Sequence, residues 1–159
     1  MLGHGREVKP GGGMRLEERT VLNATPERAW ALLTDWERQA SWMPDVAWVR
    51  LGGTERRLGA RLRVRTKVFG VPLVTDSIRV TGWDPPHRLA IEHEGFVRGL
   101  GAWLLDPAGA GRTSFVWHED LRMAPPLLGD LAVWIYSPWQ RWMLRRSMAN
   151  FRRVVEEGG

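Results

Sequence analysis

The sequence predicts an α+β domain in which an antiparallel sheet wraps around a long C-terminal helix. Three observations carry the prediction. Segments with an apolar residue at every second position dominate the middle of the chain. The turns between them are too short for parallel crossovers, so neighbouring strands run antiparallel. From about Pro126 to Glu157 the apolar period lengthens to that of a helix.

Residues 1–13 are glycine-rich, contain Pro10 and show no period, which reads as a disordered leader, with Met14 a candidate true start and 14–159 a single domain. Met14 to Ala24 reads as a strand. Thr25-Pro26-Glu27 then offers an N-cap, a proline at the first helical position and an acid where the helix dipole favours one. One short helix is expected to about Thr34 and a second to about Trp42, ended by Pro44.

In the next strand Leu62, Val64, Thr66 and Val68 alternate with Arg61, Arg63, Arg65 and Lys67, giving one buried and one basic face. The basic face reads as solvated surface. Gly70-Val71-Pro72 turns the chain into a strand with Val74, Asp76, Ile78 and Val80 on one face. WDPP at 83–86 is a turn, and Leu89, Ile91 and His93 align on the strand after it. Leu100 to Leu105 and Thr113 to Leu121 form a hairpin across Asp106–Gly111. With residue 105 opposite 113, Trp103 opposes Phe115 and Gly101 opposes Trp117.

The closing helix carries Leu144, Met148, Phe151 and Val155 at one-face spacing. Leu128, Leu131, Ile135 and Trp139, around Pro138, lie on another side. A proline removes a helical hydrogen bond and crowds the preceding turn, so a bend or local unwinding is expected near Pro138. The half before it should wall a cavity and expose part of Trp134, Tyr136, Trp139, Trp142 or Met143 as a dimer contact, a membrane-touching gate or a ligand entrance.

Composition narrows the function. The chain has 159 residues and no cysteine, which excludes disulfides and thiolate sites and suits a reducing cytoplasm. Its start lacks a signal-peptide stretch, and Asp130, Gln140 and Arg141 interrupt the most apolar segment, Leu127–Leu144. The net charge is +5, yet only Lys9 and Lys67 are lysines and no nucleic-acid motif accompanies the arginines, so nucleic acid is not an expected partner. Ten tryptophans imply a thick aromatic core or an aromatic-lined cavity. His4, His87, His93 and His118 show no metal-ligand spacing, and no nucleophile elbow, phosphate loop or dinucleotide fingerprint occurs. No metal, cofactor or catalytic residue is therefore assigned.

The opening NATPERAWALLTDWERQASWMP, the central GWDPPHRL and the closing helix, in this order, resemble the START-related polyketide cyclase/dehydrase and lipid-transport superfamily, SRPBCC. The resemblance covers about residues 15–157. It implies the helix-grip fold: a sheet of seven strands around the C-terminal helix, short helices after the first strand, and a cavity between sheet and helix. Members include carriers of lipids, hormones and polyketides as well as cyclases and aromatases. The superfamily has no universal catalytic motif, so the resemblance implies a cavity rather than a reaction.

Shared strand parity then names the expected ligand-binding wall: Val64, Thr66, Val74, Ile78, Ile91, Trp103, Phe115 and Trp117, with Leu131 and Ile135 from the helix. Such pockets typically enclose about 300–1,000 Å³. Asp76, His93 and Glu119 have the same inward parity. A carboxyl in an apolar setting is neutralised or paired. Three roles stay open for these groups: acid–base catalyst, anchor for a ligand hydroxyl, or structural and solvated residue. The expected function is binding or transport of a hydrophobic small molecule (lipid, polyketide or other aromatic metabolite). A cyclase or aromatase using the same cavity is the alternative. Transient membrane contact and a monomer or homodimer are the expected associations.

Overall fold

The structure, a computed structural model, describes residues 8–9, 13–123 and 129–158, with side chains described within 13–122 and 134–158. Strands β1 (Val8–Lys9) and β2 (Gly13–Leu22) are followed by helix α1 (Pro26–Leu33) and a 3-10 helix (Trp36–Ser41). Then come β3 (Val46–Leu51), β4 (Arg61–Val68), β5 (Val71–Asp84), β6 (Arg88–Glu94), β7 (Val97–Pro107) and β8 (Thr113–Met123). Helix α2 spans Gly129–Glu157. The sheet is antiparallel throughout, in the order β1-β2-β8-β7-β6-β5-β4-β3. This is the helix-grip arrangement: a long curved sheet with α2 against its concave face. Val8 and Lys9, within the segment read as a leader, pair with Met14 and Gly13 at one edge.

Local chemistry sets the helix starts. Thr25 Oγ1 accepts from the Arg28 N–H at 3.4 Å, and Pro26 opens α1. Ala29, Leu32 and Leu33 are buried, and the Trp30 ring meets Trp83 of β5 edge-on at 4.9 Å. The second short helix is 3-10, not α. Gln39 Nε2 donates to the Leu33 carbonyl and Asn150 Nδ2 to the Trp42 carbonyl, tying this turn to α1 and α2.

The β7–β8 hairpin departs from the expected register by two residues. Trp103 faces Trp117, Leu105 faces Phe115 and Gly101 faces Glu119. The turn is tighter than expected because Gly109 and Gly111 adopt positive φ, 102° and 65°, letting the strands pair out to Pro107 and Thr113. A slip of two keeps every side chain on its face, so the aromatics still cluster.

Helix α2 is unbroken through Pro138, contrary to the expected unwinding. The carbonyl freed by the proline belongs to Trp134, and Ser137 Oγ donates to it at 3.5 Å. Leu144, Met148, Phe151 and Val155 are buried against the sheet. The centre of the core is Trp42, fully buried, with Phe151 at 4.9 Å, Trp117 at 6.1 Å and Trp103 at 6.2 Å, all edge-on. On the outer face Arg61 pairs with Glu94 at 2.9 Å, and Arg79 pairs with both Glu94 and Glu92. Arg61 of β4 and Arg79 of β5 thus share the acids of β6. Among the described residues no helix is long and apolar enough to cross a membrane.

Candidate functional site

A cavity of about 130 Å³ lies between the concave sheet face, the 3-10 turn and α2. Leu62, Val64, Ile78 and Ile91 line it from β4, β5 and β6, and Trp103 and Trp117 from the hairpin. Trp36, Gln39 and Met43 close it near the 3-10 helix, and Tyr136, Gln140, Leu144 and Ser147 from α2. It is smaller than the volume expected from the sequence. The rings of Trp36, Trp103 and Trp117 occupy the space that short aliphatic side chains would leave open.

Parity placed Val64, Thr66, Asp76, Ile78, Ile91, His93, Trp103, Trp117 and Glu119 on this wall, and the structure brings them together there. The other expected positions differ. Val74 is outside the wall: Val71 and Leu73 are exposed and full burial on β5 begins only at Asp76, so the tip of β5 lies past the cavity. Phe115 is fully buried behind the wall, 5.1 Å from Phe151. Ile135 is 56% exposed, because α2 turns its cavity face through Tyr136 and Gln140 instead. The side chain of Leu131 lies outside the described residues.

The three inward polar groups separate into different roles. Asp76 accepts from the Phe96 N–H at 2.6 Å and the Val97 N–H at 3.1 Å, capping the turn between β6 and β7. Glu119 Oε1 accepts from Trp117 Nε1–H at 2.7 Å, while Oε2 lies 3.4 Å from His93 Nε2. Those last two atoms are buried and have no hydrogen-bond partner among the described residues. Burial pulls the His93 imidazole down, but the Glu119 carboxyl, helped by Asp76, outweighs it, leaving His93 above its ordinary value. Trp36 Nε1 and Trp42 Nε1 are likewise buried without a partner among the described residues.

Sequence reasoning missed Asp45, Trp36, Gln39, Tyr136 and Gln140 as wall residues. Asp45 follows the helix-ending Pro44, so a lone acid after a helix stop was the only signal. Burial pushes the Asp45 carboxyl up to about 6, with Glu119 adding to the rise and Lys67 opposing it. Tyr136 is pushed up to about 12, by burial first and then by Asp45. Among the described residues no group of three or more His, Asp or Glu side chains could hold a metal.

Asp45 yields a pH prediction. A carboxyl whose folded value is raised binds more protons folded than unfolded, so its contribution to stability is complete below about pH 4 and falls as pH rises through about 6. The upper limit of the loss is roughly 3 kcal/mol. Asp45→Asn should therefore match the parent in urea unfolding near pH 4 and exceed it above pH 7. Equal differences at both pH values would refute the assignment.

One end of the cavity carries an apolar rim. Phe69 at the β4–β5 turn contacts Tyr136 at 6.2 Å and Trp139 at 5.0 Å, and Trp139 contacts Trp142 at 5.2 Å. Phe69, Val71, Leu73, Trp134, Ile135 and Trp142 are exposed around this contact. Phe69 has φ 49°, a left-handed conformation that a bulky residue rarely adopts.

The profile of the family described as polyketide cyclase/dehydrase and lipid transport matches residues 14–156. No curated protein sequence matches the chain significantly. Among solved structures, TTHA0849 from Thermus thermophilus superposes with a TM-score of 0.76 at 18% identity, covering 91% of this chain and 99% of that one. The Zhui aromatase/cyclase from a Streptomyces species gives 0.70 at 18% identity, covering 92% and 98%. A START superfamily protein from Mycobacterium smegmatis gives 0.63 at 13% identity, covering 90% and 94%. At these identities the likeness is one of fold.

Proposed function

The chain belongs to the polyketide cyclase/dehydrase and lipid-transport family, and on that premise we propose that it binds a small apolar molecule in the cavity between sheet and helix. The observation that carries this reading is the space of about 130 Å³ left at the heart of an otherwise close-packed, tryptophan-rich core. A dry apolar cavity of about 150 Å³ holds benzene. One aromatic ring or a short branched chain therefore fits, whereas a fused polycycle or a full lipid tail requires α2 to move. Ligands would enter past the apolar rim around Phe69 and Trp142. The same rim is the surface through which transient membrane contact or a homodimer would form.

The second reading is an enzyme of cyclase or aromatase type. His93 and Glu119 favour it, since titratable groups facing a cavity can move protons. A binding module is preferred because these groups also suffice to orient a ligand.

Toluene titration followed by calorimetry tests the binding reading. Saturable one-to-one binding below about 1 mM is expected for a ring filling such a cavity. Native mass spectrometry of freshly purified protein should also retain a small metabolite. Absence of both would eliminate the proposal. Turnover of a polyketide-type substrate that disappears in Glu119→Gln would favour the enzyme instead.

A further inference from the structure

We infer that the cavity selects a ligand bearing a hydroxyl group, held between Glu119 Oε2 and His93 Nε2. This rests on the binding function proposed above and names the chemistry of the ligand's polar end. Trp117 Nε1–H donates to Glu119 Oε1 at 2.7 Å, which fixes the carboxyl plane from one side. The other oxygen faces His93 Nε2 at 3.4 Å, an ion-pair contact when the imidazole is protonated, and neither atom makes a hydrogen bond of normal geometry among the described residues. Native interiors rarely leave such groups unmatched, because a buried donor or acceptor without a partner has lost its water for nothing.

The carboxyl of the pair packs directly on backbone that carries no side chain. Gly101 faces Glu119 across β7 and β8, and a Cβ at that position would lie 2.8 Å from Glu119 Oε2 and 3.0 Å from Ile91 Cγ1. Any larger residue would press on the carboxyl. The neighbouring wall is apolar: Ile78, Ile91 and Trp103.

A hydroxyl is the group that satisfies both atoms at once, accepting from the imidazole N–H and donating to the carboxyl oxygen. A methyl group of the same size satisfies neither, and an ether oxygen satisfies only the donor. The predicted ligand is thus a phenol or an alcohol of similar bulk, its hydroxyl at the β6–β8 wall and its body against the isoleucines and tryptophans.

Two near-isosteric probes, p-cresol and p-xylene, test this by calorimetry. The parent should bind p-cresol about tenfold more tightly than p-xylene. In Glu119→Gln the Trp117 N–H retains the amide oxygen, so the amide NH2 faces the gap and nothing accepts the phenol proton. The preference for p-cresol should fall by about tenfold while p-xylene affinity stays within about threefold. His93→Phe removes the donor and should weaken p-cresol selectively in the same way. Equal binding of the two probes by the parent overturns the inference while leaving the apolar-cavity function standing. So does a p-cresol preference unchanged in both variants. Failure of both probes to bind the parent overturns the cavity function itself, and this inference with it.

Discussion

Trp42→Ala should destabilise the domain by about 3–5 kcal/mol, the range for removing a large aromatic side chain from a core that cannot collapse around the void. Trp42 is fully buried and touches Trp103, Trp117 and Phe151, so the deletion takes packing simultaneously from β7, β8 and α2. Its Nε1–H has no partner among the described residues, so no hydrogen bond is lost to confuse the reading. The effect should appear as a lower urea midpoint with an unchanged slope. Trp134→Ala serves as the control, because that ring is 60% exposed and its removal should change stability by less than about 0.5 kcal/mol. A Trp42→Ala loss below about 1.5 kcal/mol would mean that α2 collapses onto the sheet, and that the core is far more plastic than its ring contacts suggest.

The period-two and helical patterns were enough to read the architecture, because burial on one face imposes them directly. Leu62, Val64 and Ile78 alternate with charged or polar neighbours, and all three reach the wall, as does Ile91. Leu144 through Val155 repeat at helical spacing, and all four named positions are buried. β3 was less legible: VAWVRL does not alternate cleanly, and its pairing with β4 shifts register between Val46 and Trp48. Parity also says which face a side chain takes but not how far along the strand the cavity extends. That is why Val74 falls beyond the wall and Phe115 behind it. Ile135 differs for another reason. It shares a helix side with Trp139, away from the core stripe, and that side carries the exposed rim. The cavity volume depends on which rings fill the space between the layers, and a one-dimensional pattern carries no such information.

The chemical roles were least legible, and Asp76 shows why. Its parity is identical to that of Glu119, yet its two oxygens are taken up by the Phe96 and Val97 amides, partners twenty and twenty-one residues away. Asp76→Ala should therefore cost about 2–4 kcal/mol, since it strips two charge-assisted hydrogen bonds from a turn and leaves their N–H groups without acceptors. Asp76→Asn keeps one acceptor but turns an NH2 against a backbone N–H, so an intermediate loss of about 1–2 kcal/mol is expected. Gly95→Ala should mimic the defect with the carboxyl intact, because a Cβ there would lie 2.0 Å from Asp76 Oδ1. All three losses should be read by urea unfolding of ligand-free protein. Toluene affinity, measured where each variant is fully folded, should stay within about threefold of the parent. The opposite outcome is equally readable. If Asp76→Ala unfolds at the parent's urea concentration but no longer binds p-cresol, then Asp76 is the anchor and Glu119 is not.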